Sequence, residues 1–286
     1  MIKVLKSGLH TSIQDLGRFG YRNQGVPNSG CMDLISAGLA NSLLDNSICN
    51  AVLEVTLMGP KLLFLSDSII AITGAGMSPK INRKNISNYK AYKISEGDVL
   101  SFGRLLKGTR SYLAVKNGIL SEIKLNSRSQ FSHITSSSWL EKDNILEINK
   151  DFSNFNITNG VVKNKIQFFE TDEIEVTRGP EFDLFSKKEI YKLINQVYTV
   201  SKDNNRMGYQ MEEVVVTHTI SMITSPVLPG TVQLLPSGKV IILMKDAQTT
   251  GGYPRIFQLT ELAISILAQK KVGDTFKIKL SPTVHI

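Results

Sequence analysis

Residues 240–254 read Val-Ile-Ile-Leu-Met-Lys-Asp-Ala-Gln-Thr-Thr-Gly-Gly-Tyr-Pro. The first five form a short apolar run, and the polar, glycine-containing stretch after it predicts a turn. A run of this length that ends in turn residues is typical of a buried β-strand. Similar short runs recur along the chain, for example Ile2 to Leu5, Val214 to His218 and Thr275 to Leu280. The sequence therefore predicts a mainly β protein.

Helical periodicity is clear at only three places. Asp33 is a candidate N-cap for a helix that begins at Leu34, and Ser186 with Glu189 has the spacing of a capping box. Thr260 is the candidate start of a third helix. Because strands are not regularly followed by helices, a parallel α/β sheet is not expected. The predicted fold class is mainly β with a few helices.

The length of 286 residues favours two domains. The stretch from Ser127 to Lys165 is polar and rich in Ser and Asn, so we place the boundary near its end. The predicted domains are residues 1–165 and 166–286. The sequence Arg18-Phe-Gly-Tyr-Arg22 is echoed by Arg206-Met-Gly-Tyr-Gln210, which leaves a duplicated architecture open.

Composition excludes several classes of function. Apolar residues are 42% and charged residues 20% of the chain, and no apolar stretch is long enough to span a membrane. The net charge is +8, but the basic residues are scattered and lack interleaved aromatics, so no nucleic-acid partner is expected. Lys3 and Lys6 interrupt the apolar core that a signal peptide needs, so we expect a cytoplasmic protein. Cys31 and Cys49 show no metal-ligand spacing, so no metal site is expected.

Two loops carry the candidate chemistry. The first follows the strand at 240–244, where Asp246 and nearby polar side chains precede Gly251 and Gly252, which allow a close backbone approach. A simple β-turn is the alternative for this loop. The second begins at Gln14, and its Asp15 and Arg18 are suited to hold a polar or anionic group, or to form an ion pair that fixes the loop. No Walker pattern accompanies either loop.

These stretches together resemble the allophanate hydrolase subunit 2 family, also called the biotin-dependent carboxyltransferase family. The resemblance is greatest to the free-standing bacterial members known as the C component of 5-oxoprolinase. Its most specific segment is Asp246-Ala-Gln-Thr-Thr-Gly-Gly-Tyr-Pro254. Other matching segments include Thr11-Ser-Ile-Gln-Asp-Leu-Gly-Arg18, Leu39-Ala-Asn41, Ser127-Arg-Ser129 and Pro229-Gly-Thr-Val-Gln233.

The resemblance implies two cyclophilin-like β-barrel domains and an enzyme subunit that is inactive alone. The implied partners are a protein of the allophanate hydrolase subunit 1 family, which is the B component of 5-oxoprolinase, and a TIM-barrel-like A component. The implied reaction is ATP-dependent hydrolysis of 5-oxoproline to glutamate, with ATP bound in the complex. Two alternatives remain open: transfer of carboxylate from carboxybiotin to urea or a related amide, and a non-catalytic regulator. No lysine has the context of a biotinylation site, so no covalent biotin is expected on this chain.

The resemblance and the loop chemistry together define the candidate site. Asp15 and Asp246 are the predicted catalytic residues. The predicted substrate-binding residues are Gln14, Arg18, Asn41, Arg128, Gln248, Thr249, Thr250, Gly251, Gly252 and Tyr253. One departure from the family pattern stands out, because Thr224-Ser225-Pro226 replaces a segment that usually carries a glutamate.

Overall fold

Strands dominate the computed structural model, which describes residues 1–149 and 170–281. Twenty-one strands, three α-helices and two short 3-10 turns make up its regular structure. The chain divides into two units. The first comprises Met1–Arg18 and Ser29–Ile166, and the second comprises Phe19–Asn28 and Gln167–Ile286. The predicted boundary between residues 165 and 166 lies outside the described residues.

The first unit builds its core between two antiparallel sheets. Its elements are β1 Ile2–Lys6, β2 His10–Gln14, α1 Leu34–Ser42, β3 Val52–Thr56, β4 Lys61–Phe64, β5 Ser68–Gly76, β6 Lys80–Ile81, β7 Lys84–Asn85, β8 Ala91–Ile94, β9 Val99–Ser101, β10 Lys107–Val115, β11 Ile119–Leu120 and β12 Ile145–Ile148. One sheet has the order β11-β12-β1-β4-β9-β6-β7, and the other has the order β2-β3-β10-β5-β8. Alternate residues such as Val4, Leu53, Phe64 and Leu113 are buried in a shared apolar cluster.

The second unit is a closed barrel. Its elements are β13 Glu173–Arg178, α2 Lys187–Asn195, β14 Val197–Asn204, β15 Gly208–Val214, β16 Ser225–Pro226, β17 Thr231–Leu234, β18 Lys239–Leu243, β19 Thr250–Gly251, β20 Arg255–Leu259, α3 Glu261–Ala268 and β21 Thr275–Leu280. The barrel order is β13-β20-β17-β18-β15-β14-β21, and β16 pairs only with β19. The side chains of Tyr209, Val232, Ile242 and Phe257 are fully buried and fill the interior. The predicted fold class, mainly β with a few helices, is confirmed, and the second unit contains a closed seven-stranded barrel.

Each of the three predicted helices begins directly after its predicted N-cap residue. The Asp33 carboxylate accepts hydrogen bonds from the Ser36 N–H (2.9 Å) and the Ser36 Oγ (2.6 Å). Ser186 and Glu189 form the reciprocal bonds of a capping box, and Thr260 accepts a bond from the Ala263 N–H. Local side-chain chemistry therefore determines the helix starts. Among the described residues, no helix is long and apolar enough to cross a membrane.

The predicted strand from Val214 to His218 is misplaced. The strand in this region is β15, which ends at Val214. Beyond it, the Val215 N–H donates to the Gly238 carbonyl and the His218 N–H to the Pro236 carbonyl, so the chain leaves the barrel ladder. The apolar run Val214-Val-Val216 continues past the last ladder pair, and the sequence pattern alone therefore cannot locate the strand end.

We expect Ser186→Ala to lower the free energy of unfolding of the second unit by about 1 kcal/mol, because the Glu189 N–H at the start of α2 loses its acceptor. Urea unfolding followed by circular dichroism measures the effect. Lys188→Ala in the same exposed turn is the matched control and should change stability little, since Ala has high helix propensity. An equal loss in both variants would contradict the capping assignment.

Candidate functional site

The Asp15 carboxylate ties together two loops of the first unit. Its Oδ1 accepts hydrogen bonds from the Gly17 N–H (2.8 Å), Ser127 Oγ (2.7 Å) and Ser129 Oγ (2.6 Å). Its Oδ2 accepts a bond from the Arg128 N–H at 2.6 Å. Four donors converge on one carboxylate, a pattern that holds its orientation. In this geometry Asp15 fixes the Ser127–Ser129 segment.

Two neighbouring predicted residues are buried in the same network. Arg18 is fully buried, and its Nη2 donates to the Ser129 carbonyl. Gln14 is also fully buried, and its Nε2 donates to Ser12 Oγ (2.9 Å) and to the Gln130 carbonyl (3.2 Å). Gly30 has a φ of +87°, and a Cβ there would lie 2.8 Å from the Leu16 carbonyl, so only glycine fits against this loop.

Arg128 is the one predicted residue that lines a cavity of the first unit. The cavity has a volume of about 730 Å³ and apolar walls that include Ile13 and Leu140. The Arg128 guanidinium donates to the Ser121 carbonyl at its edge. Glu122 lies on the same wall. Its carboxylate accepts a hydrogen bond from the Ser136 N–H, and this bond lowers the pKa of the Glu122 carboxyl. Asn41 lies elsewhere, in α1, where its side chain bonds the Asn50 carbonyl (2.9 Å).

Sequence reasoning did not identify Glu54 as a candidate. This carboxylate is fully buried in β3, accepts hydrogen bonds from the Met32 N–H (2.8 Å) and the Tyr112 hydroxyl (2.9 Å), and lies 3.7 Å from Arg110 Nε. Burial, and secondarily the Glu54 charge, raises the pKa of Tyr112. The signal available in the sequence was an acidic residue within the apolar run Val52-Leu-Glu-Val55.

Asp246 forms a buried ion pair in the second unit. Its Oδ2 lies 2.7 Å from Arg206 Nε and its Oδ1 lies 3.1 Å from Arg206 Nη2, and the Asp246 N–H also donates to the Arg206 carbonyl at 2.8 Å. The two residues are 7% and 9% exposed. This bidentate pair joins the loop after β18 to the β14–β15 hairpin.

A cavity of about 220 Å³ lies beside this hairpin, on the outer face of the barrel. Gln210 and Gln233 both pair with Ile241 in the barrel ladder, so the three side chains share that face. Gln248 and Tyr253 from the predicted loop also line the cavity. Four carboxamides, from Asn205, Gln210, Gln233 and Gln248, and the Tyr253 phenol can both donate and accept hydrogen bonds, and Asp203 adds one carboxylate to the lining.

The other predicted residues of this loop, Thr249 to Gly252, pack behind the residues that line the cavity. Thr250 pairs with Pro226 and Gly251 with Ser225, and the Thr249 carbonyl accepts the Val227 N–H. A Cβ at Gly251 would lie 2.5 Å from Gln233 Nε2, while one at Gly252 would meet no atom closer than 3.9 Å. Gly251 is therefore required for the position of Gln233. The segment Thr224–Pro226, which departs from the family pattern, lies directly against this loop.

Two arginines bind backbone carbonyls of the segment that contains β16. Arg255 donates to the Pro226 carbonyl at 2.6 Å and forms a bidentate pair with Glu181, whose pKa is lowered by these hydrogen bonds. Arg22 donates to the Val227 carbonyl and to the Gln248 carbonyl (3.4 Å), and burial lowers its pKa. Within residues 1–149 and 170–281, no group of three or more His, Cys, Asp or Glu side chains could hold a metal ion.

We expect Asp246→Asn and Arg206→Gln each to lower the free energy of unfolding by about 3–5 kcal/mol, because each leaves the other partner buried without its countercharge. The double variant should lose much less than the sum, since no isolated charge remains. Urea unfolding of the wild type, both single variants and the double variant measures the coupling. Additive losses would show that the pair is not coupled.

Comparison with known proteins identifies the family of this chain. The family model described as "Carboxyltransferase domain, subdomain A and B" matches residues 24–280. The chain is 32% identical to the C component of 5-oxoprolinase from Haemophilus influenzae, over 98% of this chain and 91% of that protein. It is 33% identical to urea amidolyase of Saccharomyces cerevisiae, over 73% of this chain and 12% of that protein.

Solved structures show the same fold. The protein designated TTHA0988 superposes with a TM-score of 0.88 at 24% identity, over 97% of this chain, which spans 55% of that chain. The urea amidolyase of K. lactis superposes with a TM-score of 0.84 at 27% identity, over 97% of this chain and 18% of that chain. With a family model matched along most of its length, this chain belongs to the carboxyltransferase domain family, subdomains A and B.

Proposed function

We propose that this chain is the C component of an ATP-dependent 5-oxoprolinase, which acts with a B component and a third subunit to hydrolyse 5-oxoproline to glutamate. The observation that carries the proposal is the match to the C component of a 5-oxoprolinase, which covers 98% of this chain and 91% of the relative. A second relative of that name, from Escherichia coli, is 31% identical over 96% of this chain.

The cavity of the second unit is suited to the amide group of a small substrate. At about 220 Å³ it is smaller than the ~300–1,000 Å³ of sites for drug-sized ligands. The lactam group of 5-oxoproline presents an N–H donor next to a carbonyl acceptor, and a carboxamide offers the complementary pair. We assign Gln233 and Gln248 to this contact, with Tyr253 at the rim. The Arg206–Asp246 pair acts as a positioning group, because it fixes the loop that carries Gln248.

The cavities of the two units do not fit a nucleoside triphosphate. Their charged lining residues are Arg128, Glu122 and Glu147 in the first unit and Asp203 in the second. In the first cavity two carboxylates oppose one guanidinium, which already bonds a carbonyl, and in the second Asp203 faces no Lys or Arg of the lining, so each cavity disfavours phosphate oxygens. We therefore assign ATP to another member of the complex, and amide recognition to this chain. The partners in this proposal are a protein of the allophanate hydrolase subunit 1 family as the B component and a TIM-barrel-like A component.

The second candidate function is carboxyl transfer from carboxybiotin to urea or a related amide. The urea amidolyase of Saccharomyces cerevisiae favours it, since its identity to this chain is 33%. Urea is also a small amide, so the lining of the cavity is compatible with both substrates. A biotin carrier would then have to come from another protein.

The decisive experiment measures the reaction of the reconstituted complex of the three subunits. We expect ATP-dependent release of glutamate from 5-oxoproline, and no release when this chain is omitted. Urea-dependent ATP consumption that requires a biotin carrier would instead establish the carboxyltransferase. Formation of the complex without turnover of either substrate would favour a regulator.

Within this assay, Gln233→Leu is expected to lower kcat/KM for 5-oxoproline by about tenfold, which corresponds to about 1.4 kcal/mol for one lost substrate hydrogen bond. Gln233 is buried and its Nε2 also donates to the Tyr253 carbonyl at 3.4 Å, but Leu is nearly isosteric with Gln, so the fold should persist. Gln24→Leu, at an exposed position of the same unit, is the matched control. Equal kcat/KM values for the two variants would remove Gln233 from the site.

A further inference from the structure

Two turns of the first unit lie side by side at one end of its sheets. Because β1 pairs with β4 and β2 pairs with β3, the β1–β2 turn runs next to the β3–β4 turn, and the Leu9 N–H donates to the Met58 carbonyl at 2.9 Å. Their apolar side chains face solvent: Leu9 is 60%, Leu57 37% and Met58 49% exposed. We call these three residues the turn patch. Adjacent exposed apolar side chains of this kind mark an interaction surface.

The backbone of the patch is strained. Leu57 has a φ of +59°, and the Met58 N–H closes a three-residue turn onto the Thr56 carbonyl at 2.7 Å. A turn with positive φ at its central residue is rare and costly for any side chain except Gly or Asn. Leu57 does not belong to the apolar clusters of the first unit, so packing in those clusters does not offset this strain. An exposed, apolar, strained residue indicates a contact made outside the chain.

A row of lysines borders the turn patch. Lys6 lies opposite Lys61 across β1 and β4, Lys61 lies opposite Ser101, and Ser101 lies opposite Lys80. These residues share one face of the sheet, and like charges directly opposite one another are destabilising. In the described part of the chain, no carboxylate forms an ion pair with these three lysines. The row therefore presents uncompensated positive charge beside the patch.

The segment Gly76–Lys107 of the first unit contains seven Lys or Arg and two Asp or Glu, an excess of five in a chain whose net charge is +8. Lys80 and Lys107 of this segment lie towards the turn patch, because Lys80 pairs with Ser101 and Lys107 with Gly76. Its acidic residues, Glu96 and Asp98, lie in the β8–β9 turn at the opposite end of the sheets, where Asp98 bonds the β6–β7 turn. The lysine row therefore lies away from the acidic residues of this segment.

We propose that the turn patch and the lysine row form the docking surface for an acidic face of a partner protein in the complex. Apolar side chains would bury the centre of such an interface, and lysine–carboxylate pairs would surround it. A two-fold pair of this chain would place the same basic surface against itself, so a second copy is not the occupant. Nucleic acid is disfavoured because the centre is aliphatic and offers no ring for base stacking.

The position of this surface suits a non-catalytic contact. Leu9 precedes β2 and Asp15 follows it, so the turn patch and the Asp15 loop lie at opposite ends of one strand. A partner docked on the patch would leave the Asp15 loop uncovered. The identity of the partner rests on the function proposed above, while the surface itself does not.

The test measures binding of the full chain to the 5-oxoprolinase B component encoded in the same genome, by isothermal titration calorimetry. We expect Lys6→Glu with Lys61→Glu to weaken binding at least thirtyfold. Lys271→Glu with Val272→Ser, at exposed positions of the second unit, is the matched control and should change binding less than threefold. Binding of the charge-reversed variant within threefold of the wild type overturns the proposal.

Leu57→Asn separates docking from folding. Asn accepts positive φ, so this variant should melt at the same or a higher temperature than the wild type and yet bind the B component about tenfold more weakly. A structural role for Leu57 would instead lower the melting temperature and leave binding unchanged. That outcome would overturn the assignment of the patch.

Failure of the B component to bind the wild type would count against the function proposed above. A second probe then tests the surface independently of that function. A fluorescent random copolymer of glutamate and tyrosine represents an acidic polypeptide with apolar groups. Salt-sensitive binding that is lost in the Lys6→Glu, Lys61→Glu variant supports the surface, and absence of binding overturns it. Tighter binding of a DNA duplex than of the copolymer would overturn it in favour of nucleic acid.

Discussion

The cavity of the second unit depends on the ion pair between Arg206 and Asp246. One wall of the cavity comes from the β14–β15 hairpin and another from the loop after β18, and this pair is the charged link between the two. Both partners are more than nine-tenths buried, where an isolated charge is far more costly than a paired one. The hairpin and the loop must therefore keep their register together, and Gln248 keeps its place relative to Gln233.

The first unit uses a carboxylate in a comparable way. Asp15 accepts four hydrogen bonds and so joins the loop after β2 to the Ser127–Ser129 segment, which places Arg128 at the edge of the larger cavity. Each of the two aspartates that the sequence predicts as catalytic is thus held by several donors. Such saturation suits groups that position their neighbours, and proton transfer by either carboxylate would first require some of these bonds to break. Their catalytic role stays a prediction.

Much of the fold could be predicted because its signals are local. The caps at Asp33, Ser186 and Thr260 act within three residues, so the starts of the helices follow from the sequence alone. The strand predicted at 214–218 is wrong because its true end depends on bonds to residues 236–238. The echo between Arg18-Phe-Gly-Tyr and Arg206-Met-Gly-Tyr has no common structure, since the first lies in a loop after β2 and the second in a hairpin.

The fold class, the helix starts and the family can be predicted from the amino-acid sequence, because these depend on short patterns of apolar, capping and glycine residues. The same patterns also identify the loop at 246–253 as a candidate site. The three-dimensional structure was needed to show that Asp246 pairs with Arg206, that Glu54 is buried beside Tyr112, and that scattered lysines such as Lys6, Lys61 and Lys80 form one row. These contacts join residues far apart in the chain, and their partners are set by strand register, which a one-dimensional pattern does not encode.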